Sequence, residues 1–564
     1  MKEFFARLFA KPALAVELIT ATFFISLLAL ASPLFSMQVL NRYVAQGVDA
    51  TLITLTFGVL LAIAIELAFR EARHKLAERA SAKPDEDVAA ISYDVLTRAK
   101  LDALERVPPE MRREILTGIS AVEQAYSAST IVAILDVPFA LLFILVLAVL
   151  SPLIALIVAS FTLAVFIGGL LAQSWVQKQT TELTNASGKT SALMSTAIRE
   201  SETLRVFNAG AFLRKAWNSQ SRLSQALRRT VGSRQSVVQS FNQTASAVMS
   251  VAVIVAAGVL TVKGSLDAGA MLGANILAAR ALQPISRFSQ LGSTLVKAKQ
   301  ALALLREFAK IPLERDRGSA IAKYAGGLEF RDVSFSYVGS NTPLVEGLTL
   351  LIEPGSVVVV TGSNGSGKTT MARLILGLYE PTRGSILADG LDIKQMASEW
   401  WRQQLIYLPQ EPSLLNASIE ENLKTNNPEA SSQRLNEVVD MAGLRRFVDE
   451  SAHGLETPIV DNGWRLSEGI RRRIALARAL MTDGRIVLFD EPIESFDAEG
   501  IATVHGILGK LARDGRTIIV MSHDPQTVKG RHTVIDLSKK PTPSISIVPG
   551  ATPPEAAVAG KQSA

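Results

Sequence analysis

Five stretches of this chain are apolar over a length that fills the roughly 30 Å hydrocarbon core of a bilayer, a stronger restriction on the fold than any local pattern. They lie near residues 13–40, 50–69, 130–150, 152–172 and 245–263. A sixth candidate, near 268–290, begins "AGAMLGANILAARALQPISRF" and is weaker. It carries Arg280 and Arg287, so neighbouring helices must bury its polar groups. The first stretch follows Lys2, Arg7 and Lys11 but runs too long for a signal peptide and lacks a small-residue cleavage pattern, so it reads as a retained anchor.

The composition agrees. Of 564 residues, 48% are hydrophobic, which is rich for a soluble protein. The net charge of +6 comes largely from Lys and Arg in blocks beside the apolar stretches, the pattern of a positive-inside bias, and no nucleic-acid partner is expected. The absence of cysteine excludes disulfides, thiolate metal sites and a cysteine-peptidase activity within this sequence.

Connection lengths set the expected topology. The links at "SP" (151–152) and "KGSLDA" (263–268) are short, whereas residues 70–129 and 173–244 are long and rich in Lys and Arg. The long segments therefore belong in the cytoplasm with both termini, and they are expected to continue the membrane helices before reversing. "VPPEMRRE" at 107–114 and "FNAGAFLRKAW" at 207–217 supply the breaks, and either could end in a short transverse helix. Asp136 and Pro138 stand in "LDVPFALLF"; the acid either lines a polar passage or snorkels to the interface. Glu66, four residues before Arg70, reads as half of a helix-end ion pair.

After about residue 312 the chain changes character. A linker over 313–325 leads to a soluble domain over 326–540, and a Pro-, Ala- and Ser-rich tail over 541–564 reads as disordered. The segment "GSVVVVTGSNGSGKTTMARLILGL" is a buried strand, a glycine loop and a helix. Its loop fits the phosphate-binding pattern through Gly362, Ser363, Asn364, Gly365, Ser366, Gly367, Lys368, Thr369 and Thr370. Glycines let backbone N–H groups curl around phosphates, Lys368 neutralises the β and γ oxygens, and the Thr369 hydroxyl suits Mg2+. Later, "GRIVLFDEP" ends a buried strand on two carboxylates. Asp490 is the expected magnesium ligand and Glu491 the group that polarises the attacking water. Among the other histidines, His74, His453, His505 and His532 have no metal-ligand spacing and read as structural.

Three further segments complete a constellation: Tyr337 in "VSFSYVG", Gln410 in "IYLPQEPSLL" and His523 in "TIIVMSHDP". Residues 326–538 resemble an ATP-binding cassette. The resemblance implies that Tyr337 stacks on adenine, Gln410 couples magnesium and water to the membrane domain, and His523 contacts the γ-phosphate. "LSEGI" at 466–470 occupies the place of the family's LSGGQ signature, which faces the phosphate loop of a second cassette. Ser467 and Gly469 keep the pattern, while Glu468 and Ile470 depart from it. An acid near the triphosphate is expected to slow hydrolysis by repulsion. "ESFD" at 494–497 departs from SALD but keeps Asp497, which the resemblance places between the two cassettes.

Six helical spans followed by one α/β P-loop domain resemble a half-size ABC exporter, which works as a dimer, by default a homodimer, with ATP and Mg2+. "SPLFSMQVLNRYVAQGVDATL" at 32–52 and "LDVPFALLF" at 135–143 are similar to the membrane domains of type I secretion systems, and the lack of a peptidase-like segment ahead of the first span points to the metalloprotease and RTX exporters. That resemblance implies an inner-membrane protein, a secreted polypeptide cargo, a periplasmic adaptor and a TolC-like outer-membrane channel. A lipid or glycolipid flippase and a weakly hydrolysing gating subunit are the alternatives.

Overall fold

The computed structural model describes residues 2–340, 342–523, 528 and 530–549. The chain divides into two compact units, one from residues 1–99 and 104–311, the other from Lys100–Ala103 together with the chain from Pro312 onward.

The first unit is helical. It runs α1 (Lys2–Phe9), α2 (Pro12–Leu28), α3 (Ala31–Gln38), a π-helical turn at Val39–Val44, and α4 (Asp49–Arg98). After the short α5 (Leu101–Glu105), whose first three residues belong to the second unit, come α6 (Pro109–Ala125), α7 (Ala128–Leu150), α8 (Pro152–Arg199), α9 (Ser201–Val206), α10 (Gly210–Val262), α11 (Ala268–Gln290) and α12 (Gly292–Phe308). Five helical stretches are long and apolar enough to cross a membrane: Pro12–Val44, Asp49–Arg98, Thr117–Leu150, Pro152–Arg199 and Gly210–Val262. They carry the apolar segments read from the sequence.

The weak sixth candidate forms α11, whose 23 residues include buried Gly269, Ala270, Gly273, Ala274, Ala278 and Ala281. Small residues let helix backbones approach closely in an apolar medium. Gly273 shows the effect, since a Cβ there would lie 2.2 Å from Met37 Cγ on α3. Neighbouring helices also satisfy polar groups of α11: Ser250 on α10 donates to Asn275 at 2.8 Å, and Asn242 to Ser289 at 2.5 Å.

Asp136 has a partner that the sequence did not disclose. Arg73 on α4 donates to it at 2.5 Å and lies 3.5 Å from the Thr22 hydroxyl on α2, a polar node among three helices. Glu66 pairs with Arg70 as expected. Both long polar excursions reverse through short helices, α5 and α9. At the first, Pro108 and Pro109 start α6, where proline needs no donor. At the second, the chain turns on Asn208, whose φ of 50° is left-handed, and Gly210 simply opens α10.

The second unit has two sheets. Strands β1 (Leu328–Phe335), β2 (Val345–Ile352), β4 (Arg383–Ala388) and β5 (Leu391–Asp392) form an antiparallel sheet in the order β2-β1-β4-β5 once β3 (Val357–Thr361) is set apart. The other sheet, β10-β9-β3-β8-β7-β6, joins β3 to β6 (Leu405–Leu408), β7 (Ile486–Asp490), β8 (Thr517–Met521), β9 (His532–Asp536) and β10 (Ser544–Val548). Strands β3, β6, β7, β8 and β9 are parallel. Parallel strands are buried on both faces and read as continuous apolar runs, as "IVLF" and "TIIVM" do. Helices α13 (Lys368–Ile375), α14 (Ser398–Gln403), α15 (Ile419–Lys424), α16 (Ser432–Met441), α17 (Arg445–Glu450), α18 (Glu468–Leu480) and α19 (Ala498–Arg513) complete the unit.

Two boundaries differ from the sequence reading. The segment 313–325 is no free linker: Tyr324 is buried in the core of the second unit, and Glu314 accepts a two-pronged bond from Arg402, 2.7 Å at each contact. The expected tail at 541–564 is a strand over Ser544–Val548, antiparallel to β9 from Ser544↔Asp536 to Val548↔His532. The alternating β-branched run "SISIV" favours this, and flanking prolines hide it in the composition. Residues 550–564 of that tail lie outside the described residues.

Candidate nucleotide site

The loop between β3 and α13 is shaped by glycine. Gly362, Gly365 and Gly367 have φ of 153°, 78° and 110°, and at Gly362 a Cβ would lie 2.3 Å from Ser366 Oγ. Only glycine takes such positions without strain. The loop ends at the first turn of α13, whose free N–H groups make a helix N-terminus suited to an anion. Lys368 is buried; its ammonium donates to the Gly362 carbonyl at 2.8 Å and lies 3.4 Å from Glu491 Oε1.

The parallel register brings the carboxylates to the same place. β7 lies beside β8, and β8 beside β3, so the C-terminal ends of all three strands line one edge. Asp490 is the last residue of β7 and wholly buried. Neither of its carboxylate oxygens has a hydrogen-bond partner among the described residues. Burial pushes its pKa up to about 6, opposed by Thr369 and Lys368 and helped by the Glu491 and Glu494 charges. Glu491 follows with φ of 48°, a left-handed conformation that costs a non-glycine residue about 1–3 kcal/mol. Such strain aims a side chain that an ordinary strand end would point elsewhere. His523, just past β8, places Nδ1 3.0 Å from Glu491 Oε2.

Gln410, beyond β6, completes the edge: Thr369 Oγ1 lies 3.5 Å from its Oε1, and its amide nitrogen donates to Glu494 at 3.3 Å. The orphaned Asp490 carboxylate, the Thr369 hydroxyl and the Gln410 amide oxygen are a hard-oxygen donor set that fits a divalent cation. Three protein donors leave other coordination positions to phosphate oxygens and water, the usual manner of Mg2+. The buried Ser366 Oγ likewise lacks a partner among the described residues.

Tyr337 stands off this edge. Its ring meets Phe335 and Tyr379 edge-on, with centroids 5.2 and 6.0 Å away, and its hydroxyl lies 2.7 Å from Thr370 Oγ1. The residue is 43% exposed, so a ring face remains available to a planar partner. Asn364 and Ser363 lie in the exposed part of the loop.

The signature segment opens α18. Ser467 is its N-cap and accepts from the Ile470 N–H at 3.4 Å. A Cβ on Gly469 would meet nothing within 4 Å among the described residues, so its own cassette does not require glycine there. Glu468 is turned toward its own cassette. Its carboxylate lies 3.3 Å from Arg472 Nε, and its pKa is lowered by a hydrogen bond with Ser495 and by Arg472. Asp497 caps α19, accepting from the Gly500 N–H at 2.8 Å, and lies 3.1 Å from Arg473.

One residue here escapes a reading of the sequence by motif. Arg472 is 2% exposed, within an arginine run that looks like a solvated helix face. The period of α18 points inward, because Ala475, Leu476, Ala479 and Leu480, at three, four, seven and eight residues on, are all buried.

Known proteins show the same organisation. Residues 345–494 match the family described as ABC transporter, and residues 16–284 match the ABC transporter transmembrane region. The chain is 25% identical over 525 residues to the alpha-hemolysin translocation ATP-binding protein HlyB of Escherichia coli O157:H7, covering 92% of this chain and 74% of that protein. It is also 25% identical over 531 residues to the leukotoxin translocation ATP-binding protein LktB of Mannheimia glucosida, with 93% and 74% covered. Among solved structures, a bacterial Atm1-family ABC exporter with ATP bound superposes with a TM-score of 0.79 at 20% identity, over 93% of this chain and 94% of that one. With its helical membrane region, its P-loop domain and relatives that align along nearly its whole length, the chain belongs to the ABC transporters as a half-size exporter that couples ATP hydrolysis to transport.

Proposed function

We propose that this exporter is a type I secretion ATPase that moves an unfolded polypeptide across the inner membrane. The observation that carries this is the alignment of 92–93% of the chain with proteins named for hemolysin and leukotoxin translocation. In this reading a homodimer works with a periplasmic adaptor and a TolC-like outer-membrane channel, and both termini are cytoplasmic. The open space around Gly469 supports dimerisation, since a glycine unneeded by its own cassette suits the close approach of a second.

At each nucleotide, Lys368 and the loop N–H groups hold the β- and γ-phosphates, while Tyr337 receives the adenine. Thr369, Gln410 and Asp490 hold Mg2+, which supplies charge neutralisation when bound. Glu491 orients and polarises the attacking water, and His523 positions the Glu491 carboxylate and reaches the γ-phosphate. Ser467 and Gly469 of one copy close over the nucleotide of the other, with Asp497 between the cassettes. Loss of a proton from water to a carboxylate held by lysine and histidine is ordinary general-base chemistry.

The test is reconstitution. The full-length protein in proteoliposomes is assayed for ATP-dependent translocation of a glycine-rich repeat polypeptide and of fluorescent lipid, and for co-purification with an adaptor expressed from the same genome. Polypeptide transport with adaptor capture supports the proposal. Lipid movement without either replaces it with a flippase, and absence of ATP turnover with adaptor and cargo present replaces it with a gating subunit.

A further inference from the structure

A buried guanidinium joins the signature helix to the catalytic edge. Arg472 places Nε 3.3 Å from Glu468 Oε1 and Nη2 3.6 Å from Glu494 Oε2, and its Nη1 donates to the Glu491 carbonyl at 3.1 Å. Glu494 Oε2 in turn accepts from Gln410 Nε2 at 3.3 Å. On its other side, the Glu491 N–H donates to Met521 O at 2.9 Å. The left-handed residue is therefore held by β8 through its amide and by α18 through its carbonyl.

Two physical requirements meet here. A positive φ on a glutamate persists only where neighbours over-determine it. A buried cation is strongly unfavourable without paired acceptors, and the arginine fork presents several donors in fixed directions. The two acids that supply those acceptors, Glu468 and Glu494, are the residues standing where the resembled motifs have glycine and serine. Their side chains are 50% and 46% exposed, so neither is needed to fill the core.

We infer that Arg472, balanced by Glu468 and Glu494, is a positioning residue that sets the Glu491 backbone and the Gln410 side chain. The two departures are counter-charges to a buried arginine, and their effect on turnover is supportive. This reverses the sign expected from repulsion of the triphosphate. The inference rests on the assignment of Glu491 as the group that polarises water.

The test uses the full-length protein in lipid nanodiscs and the pair Glu468→Gln with Glu494→Gln, which alters exposed positions and leaves the core intact. The expected result is a kcat reduced about tenfold with KM for ATP unchanged, and a thermal midpoint lowered by a few degrees because Arg472 loses two of its acceptors. An unchanged or higher kcat at a temperature well below both midpoints overturns the inference, and so does a matching rise in KM. Glu491→Gln is measured alongside. If it abolishes turnover, an unaltered double variant counts against the relay alone. If it retains turnover, the assignment of Glu491 and the relay fall together.

Discussion

Lys368 Nζ lies 3.4 Å from Glu491 Oε1, so the cation we assign to phosphate and the base we assign to water hold each other across the strand edge. In the proposed site, entering phosphates would compete with that carboxylate for the lysine. Replacing Glu491 with glutamine removes that competitor along with the proton acceptor. Glu491→Gln is therefore expected to lower ATP turnover at least about 100-fold while ATP affinity holds or improves. Single-turnover hydrolysis together with equilibrium ATP binding checks both halves.

Lys368→Ala acts on the other partner. Losing a charge-assisted contact to a buried phosphate is expected to weaken ATP binding by about 10- to 100-fold, because such bonds contribute about 1.5–3 kcal/mol. Calorimetric titration reads this directly. Affinity equal to the parent's is the result that removes this loop from the phosphate site.

In the membrane unit, buried Arg73 pairs at 2.5 Å with the largely buried Asp136, whose side chain is 17% exposed. Arg73→Ala strands the acid, an effect expected to cost about 3–5 kcal/mol, whereas Arg73→Met with Asp136→Leu is expected to be nearly neutral. Thermal midpoints in nanodiscs distinguish them. Equal losses in the two proteins would show that packing around Arg73, and not its charge, holds the node.

β10 covers the edge of β9. A chain ending at Pro543 bares that edge, and edge strands recruit other chains. Compared with a chain ending at Pro549, it is expected to melt about 2–6 °C lower and to aggregate faster on heating. Identical midpoints would leave β10 without a stabilising role.

What the sequence disclosed follows from the range of each interaction. The phosphate loop, Asp490 and Glu491 are legible because the chemistry is local: glycine freedom, a helix start and a strand end are each set within a few residues. Buried parallel strands announce themselves as apolar runs for the same reason. Arg73 and Asp136 lie 63 residues apart, and no local pattern pairs them. Arg472 lay between, since the helical period of its buried neighbours marks it as inward while its own charge argues for solvent. β10 was hidden by averaging, because five alternating residues vanish in a window dominated by proline and alanine.

The lengths of α8 and α10 have a mechanical consequence. At 48 and 53 residues they measure about 72 and 80 Å, against a hydrocarbon thickness of about 30 Å. Each leaves on the order of 40 Å of rod outside the bilayer. A tilt of about 5° at the membrane surface sweeps the far end through about 3.5 Å, over twice the rise of one helical residue. A rotation too small to break packing inside the lipid would thus become, at the tip, a displacement large enough to repack side chains, a leverage set by the length of each rod.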